Sequence, residues 1–328
     1  MNLQTTYMGL QLRSPIVVSA CPLSEDIDNV ILMEKAGAGA VVLFSLFEEQ
    51  VREQKKKRRP KKKSWKSRPG DEFFPAPDHY HVGVEQYLEL IREAKENVRI
   101  PIIASLNGTT SEGWADYSLQ LEKAGADAIE VNVYYIPSDP QLSGQEVEER
   151  YLDIVRTVSS KVTIPVSIKL SPYFTALGNM AGKLREAGAD ALVLFNRFYQ
   201  PDLDIGQLKV VSNLEYSHAN EIRLPLLWVA ALHQRVNGLS LAATTGVQSA
   251  REVIKYLLAG ADVAMTASAI FKYGIDYIQT MLEQMEEWMK SMHFESVDDF
   301  KGILSQRNLA DPSVYHRANY IRILENTK

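Results

Sequence analysis

Ala124-Gly125-Ala126-Asp127-Ala128-Ile129-Glu130-Val131-Asn132 reads as the end of one element followed directly by the next. Glycine ends a helix at low steric cost, and a short apolar run behind it has the character of a strand buried on both faces. The stretch therefore marks a helix-to-parallel-strand junction. The same phrase recurs as Ala36-Gly37-Ala38-Gly39-Ala40, Ala187-Gly188-Ala189-Asp190-Ala191 and Ala259-Gly260-Ala261-Asp262-Val263, each time running into apolar sequence. The phrase glycines are 88, 63 and 72 residues apart. The two shorter intervals match a pair of strand-helix units, so the phrase opens every second strand and the longest interval holds an inserted loop.

The strands between the phrases are Ile16 to Ala20, Pro101 to Leu106, Pro165 to Leu170 and Leu239 to Thr244, each a β-branched or small apolar run. Eight parallel strands alternating with helices read as a (β/α)8 TIM barrel. The doubly wound open sheet normally carries a glycine fingerprint at its first turn, and none occurs here. The 328 residues, 45% of them hydrophobic, suffice for one barrel over residues 1–280, with an insertion at about 50–80, and a C-terminal helical extension over 281–328. Met281, Met285, Trp288 and Met289 form a helical stripe facing the core or a second subunit.

No run of 18 apolar residues occurs, and Met1 to Leu12 has neither a charged start nor an apolar core, so the expectation is a soluble cytoplasmic protein with no membrane segment. Cys21 is the single cysteine, which excludes an internal disulfide and fits a reducing compartment. The net charge of −5 hides an asymmetry: residues 52–68 hold 11 of the 36 Lys and Arg, leaving 25 basic against 40 acidic residues elsewhere. Such a block cannot pack, and reads as an exposed loop on the barrel face where active sites lie. A plain solvated loop, a lid attracting an anionic substrate, a contact with an acidic partner, and weak nucleic-acid binding aided by Trp65 are all open.

Standard motifs are missing. The chain has no G-x-x-x-x-G-K-[ST], no H-E-x-x-H and no paired C-x-x-C, and His79 and His81 share a loop with no third ligand nearby, so no metal site is expected. The informative residues are polar ones at the ends of apolar strands. Alternation puts Ser105 with Asn107, Glu130 with Asn132, and Ser167 with Lys169 on common faces, which in a two-sided buried strand means the barrel interior or its mouth. A lysine in Pro-Val-Ser-Ile-Lys-Leu needs an anion. Glu130 is one partner; a cofactor that is or becomes negative is the other. With Asn196 closing Ala-Leu-Val-Leu-Phe-Asn, the ring of amides and lysine suits a heterocycle of alternating carbonyl and NH groups, as in a flavin. The loops after strands seven and eight, Ala243-Thr244-Thr245-Gly246-Val247 and Thr266-Ala267-Ser268-Ala269, read either as a phosphate cradle or as two ordinary turns.

Ile129-Glu130-Val131-Asn132, Ile168-Lys169-Leu170-Ser171-Pro172-Tyr173-Phe174, Phe195-Asn196 and the Thr245-Gly246-Val247 turn with the helix Ala250 to Gly260 resemble, in order and spacing, the class 1 dihydroorotate dehydrogenase family. The resemblance spans most of residues 8–275. It implies an FMN-bearing barrel, cytosolic and homodimeric, in which Lys169 lies near flavin N1 and the C2 carbonyl. Asn107, Asn132 and Asn196 would bond the ring or the small-molecule substrate, and Ala20, Cys21 and Ser45 would lie against the cofactor. The turn Thr244, Thr245, Gly246, Val247 and the pair Ala267, Ser268 would hold the phosphate, where the family usually has Gly-Gly and Gly-Thr. The family's cysteine base has no counterpart: Asn132-Val133-Tyr134-Tyr135-Ile136-Pro137 puts Tyr135 at that position, and a phenol, with an ordinary pKa of ~10, would need a lowered one to act as base at neutral pH. Tyr134 and Ser138 are further proton-transfer candidates. Phe44 replaces the family's second-strand lysine, and the substrate asparagine has no counterpart around Pro75.

These readings imply an oxidoreductase passing hydride between a small, pyrimidine-like or carboxylate-bearing substrate and flavin N5, with Lys169 and Tyr135 as catalytic residues. Arg197 and the basic loop would recognise a carboxylate. Two alternatives stand beside it: a non-catalytic flavin- or phosphate-binding barrel with a regulatory or partner-binding role, and a phosphate-binding aldolase or isomerase using Lys169 as a Schiff-base amine.

Overall fold

The computed structural model describes residues 1–51, 83–110, 114–198, 200–211, 214–315 and 317–325. The basic segment 52–68, His79, His81 and Pro75 lie outside the described residues. The chain opens with an antiparallel hairpin, β1 (Thr5–Tyr7) and β2 (Leu10–Leu12). Eight strands then close a barrel in the order β3 (Ile16–Val18), β4 (Ala40–Phe47), β5 (Ile102–Gly108), β6 (Ala128–Val133), β7 (Val166–Leu170), β8 (Ala191–Leu194), β11 (Ser240–Ala243) and β12 (Val263–Thr266). Every neighbouring pair is parallel. Between β8 and β11 the chain makes a second hairpin, β9 (Asp202–Asp204) and β10 (Lys209–Val211), whose turn is held by Asp204 Oδ1 accepting from Gly206 and Gln207 N–H.

The connecting helices are α1 (Ile27–Lys35), α2 (Val84–Asn97), α3 (Trp114–Ala124), α4 (Gly144–Ser159), α5 (Leu177–Glu186), α6 (Arg223–Leu232) and α7 (Ala250–Ala259). After β12 come the short α8 (Ser268–Tyr273), α9 (Tyr277–Ser291) and, near the end of the chain, α10 (Arg317–Glu325). The segment between α9 and α10 is tied to the barrel helices by main-chain bonds: Gly302 N–H donates to Leu257 O, Leu304 N–H to Leu258 O and Gln306 N–H to Ala230 O.

The repeated phrase does open every second barrel strand, β4, β6, β8 and β12. Its glycines Gly37, Gly125, Gly188 and Gly260 all adopt left-handed φ of 103–112° at the ends of their helices, where a side chain would be strained. The aspartates have a job as well. Asp127 donates its N–H to Ile102 O and accepts from Ile102 N–H at 2.7 Å, clasping the start of β5 to the start of β6. Asp190 does the same to Val166 (3.0 Å), and Asp262 to Leu241 (2.8 Å). Each also pairs with a cation: Lys95, Arg185 and Lys301 respectively. In the first copy the position is Gly39, because a Cβ there would meet Ser14 O at 2.0 Å. Asp127→Ala is expected to cost about 1–3 kcal/mol, the penalty of a buried amide left without its acceptor, read as a fall in thermal midpoint.

The barrel interior has an apolar floor and a polar upper part. Val17, Ala40, Val42, Ile103, Ala128, Ala191, Val193, Ala242 and Val263 fill the lower layers, and Tyr7, Met8 and Leu12 of the first hairpin pack beneath them and close that end. Above lie the polar layers. A larger apolar shell between the strands and helices, including Tyr87, Trp114, Tyr151 and Tyr256, holds the helices on the outside.

Candidate active site

Strand register stacks the polar residues in two layers. Ser45, Ser105, Glu130 and Ser167 are aligned across β4 to β7, and one step higher Asn107, Asn132 and Lys169 are aligned across β5 to β7. The two-residue alternation seen in the sequence is what brings them to one face.

Lys169 is buried, and its Nζ lies 3.9 Å from Glu130 Oε1 and 3.3 Å from Ser19 Oγ, to which it donates. Glu130 is fully buried, and neither carboxylate oxygen has a hydrogen-bond partner. Burial pushes its carboxyl above the usual range, and the Lys169 charge opposes that only in part. The lysine therefore has an ionic neighbour below at more than hydrogen-bond length, and it also forms part of a cavity wall above. Of the partners left open by the sequence, Glu130 is in place, at a distance that does not saturate the ammonium.

The cavity measures about 280 Å³ and opens between the carboxyl ends of β3, β7, β8, β11 and β12, near the lower end of ligand pockets at ~300–1,000 Å³. Ala20, Cys21, Lys169, Asn196, Thr244, Thr245, Gly246, Val247, Ala267 and Ser268 line it. Burial pushes the Cys21 thiol up to about 11, so it stays protonated and unreactive at neutral pH. Asn196 Nδ2 donates to Asn132 Oδ1 at 2.6 Å, which orients both carboxamides although Asn132 is not on the cavity wall.

Ser45, Asn107 and Tyr135 also stand off the cavity. Ser45 shares a hydroxyl hydrogen bond of 2.8 Å with Ser105. Tyr135 is half-buried on the loop after β6, with the Arg150 guanidinium 4.1 Å from its ring centre. That loop ends at α4 in a capping box, Ser143 Oγ accepting from Glu146 N–H and the Glu146 carboxylate accepting from Ser143 N–H. Tyr134, from the same loop, packs on Phe198 with ring centres 4.3 Å apart. Arg197 is engaged within the chain: it donates to Glu221 Oε2 (2.8 Å) and to Glu215 O (2.5 Å).

The turn after β11 is sharply formed. Thr245 and Gly246 have φ of 78° and 77°, a conformation unusual for a β-branched residue such as Thr245. Thr245 Oγ1 donates to Phe195 O, and the Tyr256 hydroxyl from α7 donates to Thr245 O at 2.7 Å, which fixes the turn. At Gly246 a Cβ would come within 2.7 Å of Ile222 Cγ2.

The sequence reading did not single out Ser19, Tyr216, Ser217 or Phe271, which also line the cavity. Ser19 was legible as a polar residue beside Ala20 at the end of β3. Tyr216 and Ser217 belong to a connection without periodicity or motif, and only the fold brings them in. Among the described residues no group of three or more His, Cys, Asp or Glu is placed to hold a metal ion, and no helix is long and apolar enough to cross a membrane.

A family model described as dihydroorotate dehydrogenase matches residues 2–289. The chain is 28% identical over 314 residues to a protein of Thermoplasma volcanium named dihydroorotate dehydrogenase B (NAD(+)), catalytic subunit, covering 93% of this chain and 99% of that one. A protein of the same name from Methanothermobacter thermautotrophicus is 26% identical, with 92% and 98% covered. A putative dihydroorotate dehydrogenase A (fumarate) of Aeropyrum pernix is also 26% identical, with 92% and 97% covered. With a closed (β/α)8 barrel, a lysine in its polar layer and a match running almost from end to end, this chain belongs to the dihydroorotate dehydrogenase family.

Proposed function

We propose that the protein is an FMN-dependent oxidoreductase acting on a CH–CH bond of a small, carboxylate-bearing or pyrimidine-like substrate. The observation that carries this reading is the Lys169 ammonium, held loosely by Glu130 and lining a cavity that the left-handed Thr245-Gly246 turn also lines. An unsaturated buried cation and a turn that is bare of side chain at Gly246 suit a ligand that is anionic at one end and polar at the other. The residues fit FMN: Lys169 and Asn196 would meet the ring, Ala20 and Cys21 would lie against it, and Thr244 to Val247 with Ala267 and Ser268 would take the phosphate.

When bound, the flavin supplies a hydride acceptor at N5. Lys169, itself buried, would place a positive charge where negative charge develops, and a charge held out of water acts more strongly there than in bulk solvent. The bond to Asn132 Oδ1 fixes the direction of the Asn196 carboxamide, so the groups Asn196 turns to the cavity would be presented without reorganisation. Tyr135 Oη is the proposed proton acceptor of the loop after β6, with Tyr134 and Ser138 as its neighbours in sequence. Arg197 uses Nε and Nη1 on Glu221 and Glu215, so recognition of a substrate carboxylate would fall to the other N–H groups of its guanidinium.

The relatives carry NAD(+) or fumarate in their names, and two of the three are named catalytic subunits. We therefore propose assaying dihydroorotate oxidation with each acceptor and with a dye. The exposed apolar residues Leu203, Ile205, Leu208 and Val210 of the β9–β10 hairpin support assembly as a homodimer. The purified protein is expected to show flavin absorption bands, or to acquire them on FMN titration; a colourless protein that takes up no FMN ends the cofactor assignment. Turnover of dihydroorotate that survives Tyr135→Phe undiminished would remove Tyr135 from the mechanism.

A further inference from the structure

The Thr245-Gly246 turn and Ser268, the two groups best placed to hold a phosphate, already have an occupant. Gly246 N–H donates to Ser217 Oγ at 3.2 Å. The Ser217 hydroxyl in turn donates to Ser268 Oγ at 3.1 Å, and Ser217 N–H reaches the same oxygen at 3.3 Å. A buried serine thus bridges the two sides of the cradle, accepting from one and donating to the other.

Ser217 is held there from outside the barrel. Gln248 Nε2 donates to Ser217 O at 2.8 Å, Arg197 grips Glu215 O, and the Tyr216 ring stacks on Phe271 at 5.6 Å with an interplanar angle of 13°. The stretch 214–217 is a strap lying on the molecule's surface: Leu214 is 76% exposed and Tyr216 44% exposed. Besides the Ser217 bonds to Gly246 and Ser268, its anchors are these three local contacts, and no barrel strand passes through it.

We propose that Ser217 is a built-in occupant of the phosphate cradle, so that a phosphorylated ligand must displace the 214–217 strap while its non-phosphorylated counterpart need not. This rests on the flavin reading of the cavity for the identity of the ligand, but not for the competition itself. A phosphate oxygen and the Ser217 hydroxyl want the same Gly246 N–H, and only one can have it. Removing the hydroxyl removes the competitor. The expected gain is about tenfold in affinity, the worth of one net hydrogen bond.

The test uses the full chain freed of bound flavin, as wild type, Ser217→Ala and Ser217→Gly, with FMN and riboflavin titrated by flavin fluorescence and inorganic phosphate by phosphorus NMR line width. The expected result is that both variants bind FMN about tenfold more tightly, bind riboflavin as the wild type does, and bind phosphate more tightly. FMN and phosphate binding that is unchanged or weaker in both variants overturns the proposal, and weaker binding would make Ser217 a phosphate ligand instead. If no flavin binds to any form while phosphate binds more tightly to the variants, the flavin reading falls and the occupied cradle stands.

Discussion

Lys169→Ala is expected to lower substrate oxidation by 10²- to 10³-fold, the range seen when one preorganised electrostatic donor is taken from an active site. The ammonium is the one charge that β7 carries into the polar layer, and no other cation among the described residues lines the cavity except Arg197, which is bound to Glu215 and Glu221. The substitution has a second consequence that separates its two roles. It leaves Glu130 fully buried without its cation, and the carboxyl, already pushed up by burial, is pushed up further.

A carboxyl whose folded pKa is raised above its unfolded value of ~4.3 contributes most at pH below that value and loses its contribution as pH rises through the folded pKa. Lys169→Ala is therefore expected to lose more stability at pH 8 than at pH 5, measured by denaturant unfolding at the two pH values. Glu130→Gln in the same chain should restore the stability at pH 8 and leave turnover lost. Equal destabilisation at both pH values would mean that Glu130 is not titrating, and restored turnover would mean that the lysine serves the fold alone.

Gly39→Ala is expected to cost about 3 kcal/mol, at the upper end of overpacking penalties, and to lower the thermal midpoint by several degrees. The Cβ would fall 2.0 Å from Ser14 O, a main-chain atom that can move only if the connection between β2 and β3 moves. Gly39 N–H is bonded to Ile16 O, so the shift would reach the first barrel strand. The same change at Gly144, where nothing lies within 4 Å of a new Cβ, serves as the control and should leave the midpoint within about a degree. A midpoint unchanged in Gly39→Ala would show that the Ser14 region yields freely.

The four phrases made the barrel legible because they combine a backbone requirement with a burial pattern: a left-handed glycine followed by a two-sided strand. Their aspartates were not legible in the same way. Asp127, Asp190 and Asp262 clasp neighbouring strands through main-chain amides, an interaction set by register, which a single phrase does not display. The site was readable where it lies on strands, since alternation puts Ser105 with Asn107, Glu130 with Asn132 and Ser167 with Lys169 on one face of each strand, and register then aligns them. It was unreadable where it lies on connections. Ser217 reaches the cradle through a strap whose position depends on Gln248, Arg197 and Phe271, three residues brought together only by the closed fold. Tyr135, placed by alignment with a family position, sits beside Arg150 because the chain leaves β6 before turning into α4.

The hairpin that plugs the lower end of the barrel with Tyr7, Met8 and Leu12 leaves the chamber, among the described residues, to open at the carboxyl ends of the strands. Whatever guest settles deepest must arrive first and depart last, so the order of traffic through this molecule is written into its blocked cellar as much as into the groups that grip the guests.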